Sequence, residues 1–315
     1  MAWYLRTAHG RWEGPGCVPF YADSKRVGAF AVELDCLRAS DEEHLFRLLV
    51  LFALFQSRRD VDIMARQRAT SVARTRAMTS PRQLRVLVTN HRCEHLDDER
   101  TFDASCDVRR DFARASATCN HRPRTPCHVK EATLTIGRYG DLGKLPTSAW
   151  LHLRDGGFRR LLASACEHEP DHPHRRATWV AAQLATIHRI GRKLASMYVS
   201  ALCTDELTPG FAPWSPQLNG SDIVVVDANV MRVVEGLSRR HVRNYDDFTH
   251  WLYETSDQID LSTLRAGLPV RSPRLIQQAL YVFRSRSNRS ASSDKCVGAP
   301  CAECPSVLCP FRSRV

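Results

Sequence analysis

The sequence predicts an all-α, mainly helical protein. Apolar side chains recur at spacings of three and four residues in several segments, most clearly at Leu45, Leu48, Leu49, Phe52 and Phe55, and this is the period of a helix that buries one face. Loops that contain proline and glycine separate these segments. At 315 residues, with 43% hydrophobic and 25% charged side chains, the chain has room for one large or two modest globular domains.

The first clear element is a helix that begins after residue 40. Ser40 and Glu43 have the spacing of a capping box, and the apolar helix that follows is expected to end near Gln56. Residues 1–39 contain no clear element, and the pattern of residues 27–37 fits a strand as well as a helix.

Residues 89–145 are rich in charges and turn residues, and we interpret them as an insertion. Their cysteines and histidines are possible zinc ligands, but the spacing matches no known ligand pattern. A flexible polar insert is therefore favoured over a second metal site. The residues concerned are Cys93, His95, Cys106, Cys119, His121, Cys127 and His128.

Helical patterns return in the second half of the chain. Residues 157–166 predict one helix, and residues 177–202 predict two helices joined by a tight turn at residues 188–191. Further boundaries are an apolar run at residues 223–226, a helix that starts at Asp227, and a last helix with Ser272 as its cap and Pro273 in its first turn.

The charge of the chain limits its partners. A formal net charge of +11 favours an anionic partner such as nucleic acid.

The longest apolar run, residues 45–55, is interrupted by Arg47 and is too short to cross a bilayer, so we expect no membrane partner. No targeting segment is recognisable, and the cysteines fall into groups that suit metal binding. We expect a monomer in the cytoplasm, associated with the nucleoid if the host is bacterial.

Four cysteines lie close together in the segment CVGAPCAECPSVLCP. Thiolates at such spacing converge on one centre when the backbone between them turns tightly, and the prolines and glycine of this segment supply the turns. An iron–sulfur cluster is the favoured interpretation, and zinc, disulfides or free thiols are the alternatives. The predicted ligands are Cys296, Cys301, Cys304 and Cys309.

Two charged residues lie at predicted helix starts. Lys193 follows Gly191 and Arg192 in the first turn of one helix, and Asp227 begins another. The positive end of a helix dipole disfavours an additional ammonium charge and favours a carboxylate. Lys193 is therefore expected to supply a neutral, nucleophilic amine, and Asp227 an anion. Taken alone, each has an ordinary interpretation, as a solvated lysine and as an N-cap aspartate.

The order of these motifs resembles that of the endonuclease III-like helix-hairpin-helix DNA glycosylases. The family's hairpin usually reads LPGVGRK; this chain has IHRIGRK, which keeps Gly191, Arg192 and Lys193 but has Arg189 at the first glycine. VDANV resembles the family's VD-x-x-V, with Asp227 at the catalytic aspartate. The spacing C-x4-C-x2-C-x4-C resembles the family's C-x6-C-x2-C-x5-C. The apolar helix that ends at Gln56 resembles a family helix whose terminal glutamine lies beside the DNA.

The resemblance implies a two-lobed fold and a cofactor. A helical barrel would comprise residues 41–226, with the insertion at 89–145, and the second lobe would comprise residues 1–40 and 227–315. The four tail cysteines would hold a [4Fe-4S] cluster. The implied partner is double-stranded DNA, in which Gln56 would fill the gap left by an extruded nucleotide, while Arg189, Gly191 and Arg192 would bind phosphate.

The implied activity is base excision with cleavage of the abasic strand. Lys193 would be the nucleophile that forms a Schiff base, and Asp227 its electrostatic or acid–base partner. Oxidised pyrimidines, mismatched adenine and methylated cytosine are all substrates within the family. Two alternatives stay open: a monofunctional glycosylase for a mismatched, methylated or hypermodified base, and a non-catalytic DNA-binding protein with a zinc-bound cysteine tail.

Overall fold

The computed structural model describes residues 18–56, 59–91, 93–105, 119, 122, 125–127, 129, 144–207, 210–238 and 241–284. Within these residues the regular elements are helices and no strand is formed, which confirms the all-α prediction. The chain divides into two compact units, residues 18–220 and residues 1–17 with 221–315. The domain bounds taken from the family resemblance stay a prediction.

Short helices begin the larger unit and longer helices form its centre. The ambiguous residues 27–37 are helical over most of their length. The described helices of this unit are α1 (Ser24–Val27), α2 (Leu34–Arg38), α3 (Glu42–Ala53), α4 (Asp60–Ala69), α5 (Val72–Thr79), α6 (Pro81–His91), α7 (Glu99–Ser105), α8 (Leu145–Leu153), α9 (Gly157–His168), α10 (Pro173–Leu184) and α11 (Arg192–Cys203). The smaller unit contains α12 (Ala228–Leu237), α13 (Tyr245–Asp257) and α14 (Pro273–Arg284). Among the described residues, no helix combines the length and the apolar character needed to cross a bilayer.

Helix α3 lies at the centre of the larger unit. Every residue from Leu48 to Ala53 is buried, and a helix that is apolar on all sides needs neighbours all round. Helices α5, α6, α8, α9 and α11 provide them. Tyr198 of α11 fixes the register, because its buried hydroxyl donates a hydrogen bond to the carbonyl of Leu45 at 3.0 Å. Burial raises the pKa of Tyr198 well above its ordinary value, so the hydroxyl stays a neutral donor.

The expected capping box of Ser40 and Glu43 is wrong. Ser40 has a left-handed φ of 54°, and α3 begins two residues later, so Asp41 takes the N-cap position. The Asp41 carboxylate accepts a hydrogen bond from the backbone N–H of His44 at 3.0 Å, and aspartate is as effective a cap as serine. Glu43 instead pairs with Arg47 one turn further along the helix, at 3.3 Å.

Glu42 caps a different helix. Its carboxylate accepts hydrogen bonds from the backbone N–H groups of Phe158 and Arg159, at 3.2 and 3.1 Å. These are orphan donors of the first turn of α9, whose own N-cap residue, Gly156, has no side chain to offer. The start of α3 is therefore tied to the start of α9 through a single carboxylate.

The expectation of a flexible polar insert is wrong for the described part of residues 89–145. Leu96, Phe102, Cys127 and Val129 are buried in one cluster with Leu151 of α8. These apolar residues lie far apart in a charge-rich sequence, so no window of the sequence has a helical or strand period. Only the folded chain brings them together.

In the smaller unit the predicted apolar run, residues 223–226, is buried and forms no helix or strand with the part of the chain that the structure describes. Side chains satisfy its backbone instead. The Tyr245 hydroxyl donates to the carbonyl of Val224 at 3.0 Å, and Gln277 Oε1 accepts from the N–H of Val225 at 3.2 Å. The carbonyl of Val224 and the N–H of Val225 therefore have hydrogen-bond partners. Side-chain partners of this kind allow the run to be buried outside a sheet.

The predicted start of the last helix is confirmed. Helix α14 begins at Pro273, and Ser272 Oγ accepts a hydrogen bond from the N–H of Leu275 at 3.2 Å.

Candidate functional site

The two helices predicted between residues 177 and 202 are present as α10 and α11. The turn between them is anchored by two buried side chains, Ile187 and Ile190, which are 2% and 1% exposed, and by a hydrogen bond from the N–H of Ile190 to the carbonyl of Ile187 at 2.9 Å. Between these anchors the backbone of Arg189 has a left-handed φ of 63°. Glycine adopts a left-handed backbone without strain, and the family that this sequence resembles has a glycine at the position of Arg189.

Gln56 contacts this turn directly. It follows the C-terminal end of α3, and its Nε2 donates hydrogen bonds to the carbonyls of Arg189 and Ala53, at 2.9 and 2.6 Å. Lys193 reaches the same place from the first turn of α11, where its Nζ donates to the carbonyl of Phe55 at 3.3 Å. The end of α3 and the start of α11 are therefore linked by two side chains that the sequence singles out.

Gly191 is the N-cap of α11 and offers no side chain to the helix start. Its φ and ψ of −82° and 177° are open to any residue, and a Cβ added there would meet no atom within 4 Å. Local folding thus does not require glycine at this position. The residues Arg189, Gly191 and Arg192 are all exposed, so an anion has access to the first turn of α11, whose initial N–H groups lack partners inside the helix.

Asp227 lies in the smaller unit, and the predicted helix start there is confirmed. One carboxylate oxygen accepts hydrogen bonds from the N–H groups of Asn229 and Val230, at 3.0 and 2.9 Å, and the other faces Asn229 Nδ2 at 3.3 Å. This is the full pattern of an N-cap. The residue is half-buried, and its carboxylate is oriented by α12. Lys193 and Asp227 belong to different compact units, and a catalytic role for either stays a prediction.

The predicted cluster ligands Cys296, Cys301, Cys304 and Cys309 lie outside the described residues, as do Cys106, His121 and His128 of the insertion. Within the described part of the chain, one set of metal-ligand types converges, and it consists of Glu33, Cys36 and His44. It lies at the opposite end of α3 from Gln56, about 18 Å away for a helix of this length.

Sequence reasoning missed a polar cluster between α7 and α8. Ser148 Oγ donates to the Asp103 carboxylate at 2.5 Å, and the nearly buried Lys144 donates from Nζ to the Asp103 carbonyl at 2.5 Å. Burial raises the pKa of Asp103, although the Ser148 bond and the positive charges of His188 and Lys144 act the other way. His188, whose charge acts on Asp103, belongs to the α10–α11 turn. Perturbed carboxyls of this kind are common in functional sites.

No sequence signal marks that cluster in advance. Asp103 lies in a charge-rich segment, and Lys144 follows it by 41 positions, so no motif joins them.

Comparison of the chain with protein-family models, with curated proteins and with solved structures finds no match.

Proposed function

We propose that the protein is a DNA glycosylase with abasic-site lyase activity that extrudes and removes a base from duplex DNA. The observation that carries the proposal is a pair of hydrogen bonds that link the end of α3 to the start of α11, from Gln56 to the carbonyl of left-handed Arg189 and from Lys193 to the carbonyl of Phe55. In the family that the sequence resembles, the glutamine lies beside the DNA and members that cleave the abasic strand have a lysine at the position of Lys193. In this chain Gln56 bonds to Arg189 across 133 positions, and Lys193 bonds to Phe55 across 138.

Phosphate binding is the first step. An exposed turn with a glycine N-cap and two arginines suits a phosphate, because backbone N–H groups bind oxygen while the helix dipole and the guanidinium groups add positive charge. Glycine at position 191 lets the phosphate approach the backbone closely. Such contacts position the protein on DNA without reading its sequence.

Base extrusion is the second step. A base stacked in a duplex cannot be attacked at its sugar carbon, so the nucleotide must rotate out, at an expense of a few kcal/mol. The Gln56 side chain occupies the end of α3 beside the phosphate-binding turn. A polar, half-buried side chain in this position suits the space that the extruded nucleotide leaves.

Lys193 supplies the nucleophile of the proposed reaction. Its neutral amine attacks C1′ of the extruded nucleotide while the bond from C1′ to the base nitrogen breaks, and the base leaves with the bonding electrons and takes up a proton. The nitrogen then loses one proton, and its lone pair forms the C1′–N double bond as the bond from C1′ to the ring oxygen breaks and that oxygen takes up a proton, which gives a protonated Schiff base. Loss of a proton from C2′ and departure of the 3′ phosphate oxygen nick the strand.

Asp227 supplies the electrostatic or acid–base partner. A carboxylate held by two backbone N–H groups stays in one orientation, and this suits a group that balances developing positive charge on a sugar or passes protons through water.

The proposed cofactor is a [4Fe-4S] cluster on the tail cysteines, with zinc as the alternative. Its support is the cysteine spacing of the sequence alone. The cluster would be structural and would add a basic surface for DNA, and no chemical step above depends on it.

A screen of modified duplexes identifies the substrate base. Wild type and Asp227→Asn are incubated with duplexes that each carry one oxidised, mismatched, methylated or hypermodified base, and base release and strand cleavage are measured separately. Asparagine remains an effective N-cap, so the variant keeps α12 while losing the charge. We expect base release by wild type from at least one duplex and a large loss in the variant. Equal activity of the two proteins would remove Asp227 from the chemistry.

A second candidate function is DNA binding without catalysis. The contact that favours it is the hydrogen bond from Lys193 to the Phe55 carbonyl, which gives this lysine a structural role. Duplex binding without base release or strand cleavage on any substrate would support that function.

A further inference from the structure

Three side chains of different type converge where α2 meets α3. Glu33 precedes α2, Cys36 lies within it, and His44 is in the first turn of α3. A carboxylate oxygen of Glu33, the sulfur of Cys36 and a ring nitrogen of His44 all lie within 4.8 Å of one another. The Cys36 thiol donates to Glu33 Oε2 at 3.6 Å. None of the three belongs to the hairpin, to the predicted cysteine cluster or to the proposed reaction.

His44 is held as metal-binding histidines are held. Its Nδ1 lies 2.9 Å from the Asp41 carboxylate, which fixes the tautomer with the proton on Nδ1 and the lone pair on Nε2. His44 Nε2 is buried and has no hydrogen-bond partner among the described residues. A buried polar nitrogen without a partner is unfavourable, and a metal ion would satisfy it. The pairing of a carboxylate with the distal nitrogen is typical of histidine ligands.

We propose that Glu33, Cys36 and His44 form a binding site for Zn²⁺, with Asp41 as the residue that orients His44. One sulfur, one nitrogen and one oxygen ligand suit this borderline-soft ion better than Ca²⁺ or Mg²⁺, which take oxygen ligands. Zinc brings such ligand atoms to about 3.5 Å from one another in tetrahedral geometry. The site therefore needs a closure of only about 1 Å, and the exposed Glu33 side chain is free to provide it.

Charge favours the same ion. Asp41, Glu33 and Asp35 all place negative charge near Cys36. A divalent cation is attracted to this charge, and on binding it replaces the thiol proton, which is released to solvent. The fourth position of the tetrahedron is left to water. Since the ligands come from α2 and α3, the ion would hold the start of the central helix to its neighbour.

The test compares zinc content and zinc-dependent stability in five variants of the full chain. Cys36→Ser and His44→Gln each remove a ligand, and Glu33→Gln removes the exposed one without disturbing the core. Cys166→Ser is the control, because Cys166 is also a half-exposed helical cysteine but receives only a hydrogen bond from Gln217. Bound zinc is measured per chain after dialysis, and the melting temperature is measured with zinc and with a chelator.

We expect the three ligand variants to hold one zinc fewer per chain than wild type and the Cys166→Ser control, and to lose the rise in melting temperature that zinc gives. Co²⁺ in place of zinc should give a sulfur-to-cobalt charge-transfer band that Cys36→Ser lowers.

Asp41→Asn, which keeps the N-cap, should weaken zinc binding by roughly 10- to 100-fold. If Cys36→Ser does not fold, Glu33→Gln and Asp41→Asn decide the question. Unchanged zinc content and an unchanged zinc effect on melting in these variants would overturn the proposal.

Discussion

Gln56 and Arg189 are joined by a hydrogen bond from Nε2 to the backbone carbonyl at 2.9 Å. The bond links the end of the central helix to the one residue of the α10–α11 turn that has a left-handed backbone. Under the proposed function, the side chain that fills the DNA gap also holds the loop that binds phosphate. The proposal therefore predicts that phosphate binding and extrusion are coupled through Gln56.

Changing Gln56 tests that coupling. Gln56→Ala removes two hydrogen bonds and should lower the free energy of unfolding by about 1 kcal/mol, whereas Gln56→Glu should lower it more, because a carboxylate would face the carbonyls of Ala53 and Arg189. Both should bind an abasic duplex more weakly than wild type. Urea unfolding and fluorescence anisotropy measure the two effects. Equal stability of the glutamate variant and wild type would mean that the bond is not formed in solution.

Arg189 carries both strain and charge, and two variants separate them. Arg189→Gly and Arg189→Ala both remove the side chain, but only glycine relieves the left-handed backbone, so the glycine variant should be the more stable of the two by about 1 kcal/mol. For duplex binding, a plot of the logarithm of the association constant against the logarithm of salt concentration should become less steep by roughly 0.9 in both variants, which is the contribution of one phosphate contact. If the alanine variant were as stable as the glycine variant, the turn would have another conformation.

Gly191 should matter more for DNA than for folding. A Cβ at this position meets nothing within 4 Å, so Gly191→Ala should lower the free energy of unfolding by no more than about 1 kcal/mol, the effect of alanine at an N-cap. It should weaken duplex binding by roughly tenfold, as expected when one hydrogen bond to phosphate is lost.

Gly220→Ala is the matched control for that variant. A Cβ there would lie 2.8 Å from the Cys203 sulfur and 3.3 Å from Ser200 Cα, so overpacking should lower stability by about 1–3 kcal/mol. Thermal unfolding and duplex titration of both variants distinguish the two roles. A Gly191→Ala protein with wild-type affinity would exclude close phosphate approach at the turn.

The cap of α3 should make stability depend on pH. Partial burial alone would raise the pKa of Asp41, but the hydrogen bonds from the side chain and backbone of His44 outweigh it and lower the pKa below 3.8. Because the folded state binds its proton less readily than the unfolded state, this contribution is complete above the ordinary value and is lost as pH falls through the folded pKa. Asp41→Asn should therefore lose less stability on acidification than wild type. Urea unfolding between neutral and acidic pH, with a chelator present, measures this, and parallel curves would contradict it.

Local sequence signals predicted the elements whose residues are close together in the chain. The start of α14 at Pro273, the cap at Asp227 and the turn before Lys193 all follow from side chains within a few positions of each other. The cap of α3 was predicted one residue too early, because Ser40 and Asp41 are both good caps and only the left-handed backbone of Ser40 decides between them.

Contacts between distant segments had no such signal. Glu42 caps α9 by binding the N–H of Phe158, which lies 116 positions later in the chain. Asp103 accepts a hydrogen bond from Ser148, which lies 45 positions later. The apolar cluster around Phe102 collects single residues from a charge-rich stretch. The convergence of Glu33, Cys36 and His44 likewise depends on the angle between α2 and α3, which no periodicity encodes.

The central claim is that the amine of Lys193 forms a covalent bond with C1′, and borohydride reduction in the presence of an abasic duplex tests it most directly. Lys193→Arg is the decisive variant, because it retains a charged donor for the Phe55 carbonyl but cannot form a Schiff base, and Lys25→Ala removes an exposed lysine of α1 as the control. We predict a reduced protein–DNA adduct with wild type and Lys25→Ala and none with Lys193→Arg. Adduct at the wild-type level in Lys193→Arg, or no adduct with wild type, would contradict the account.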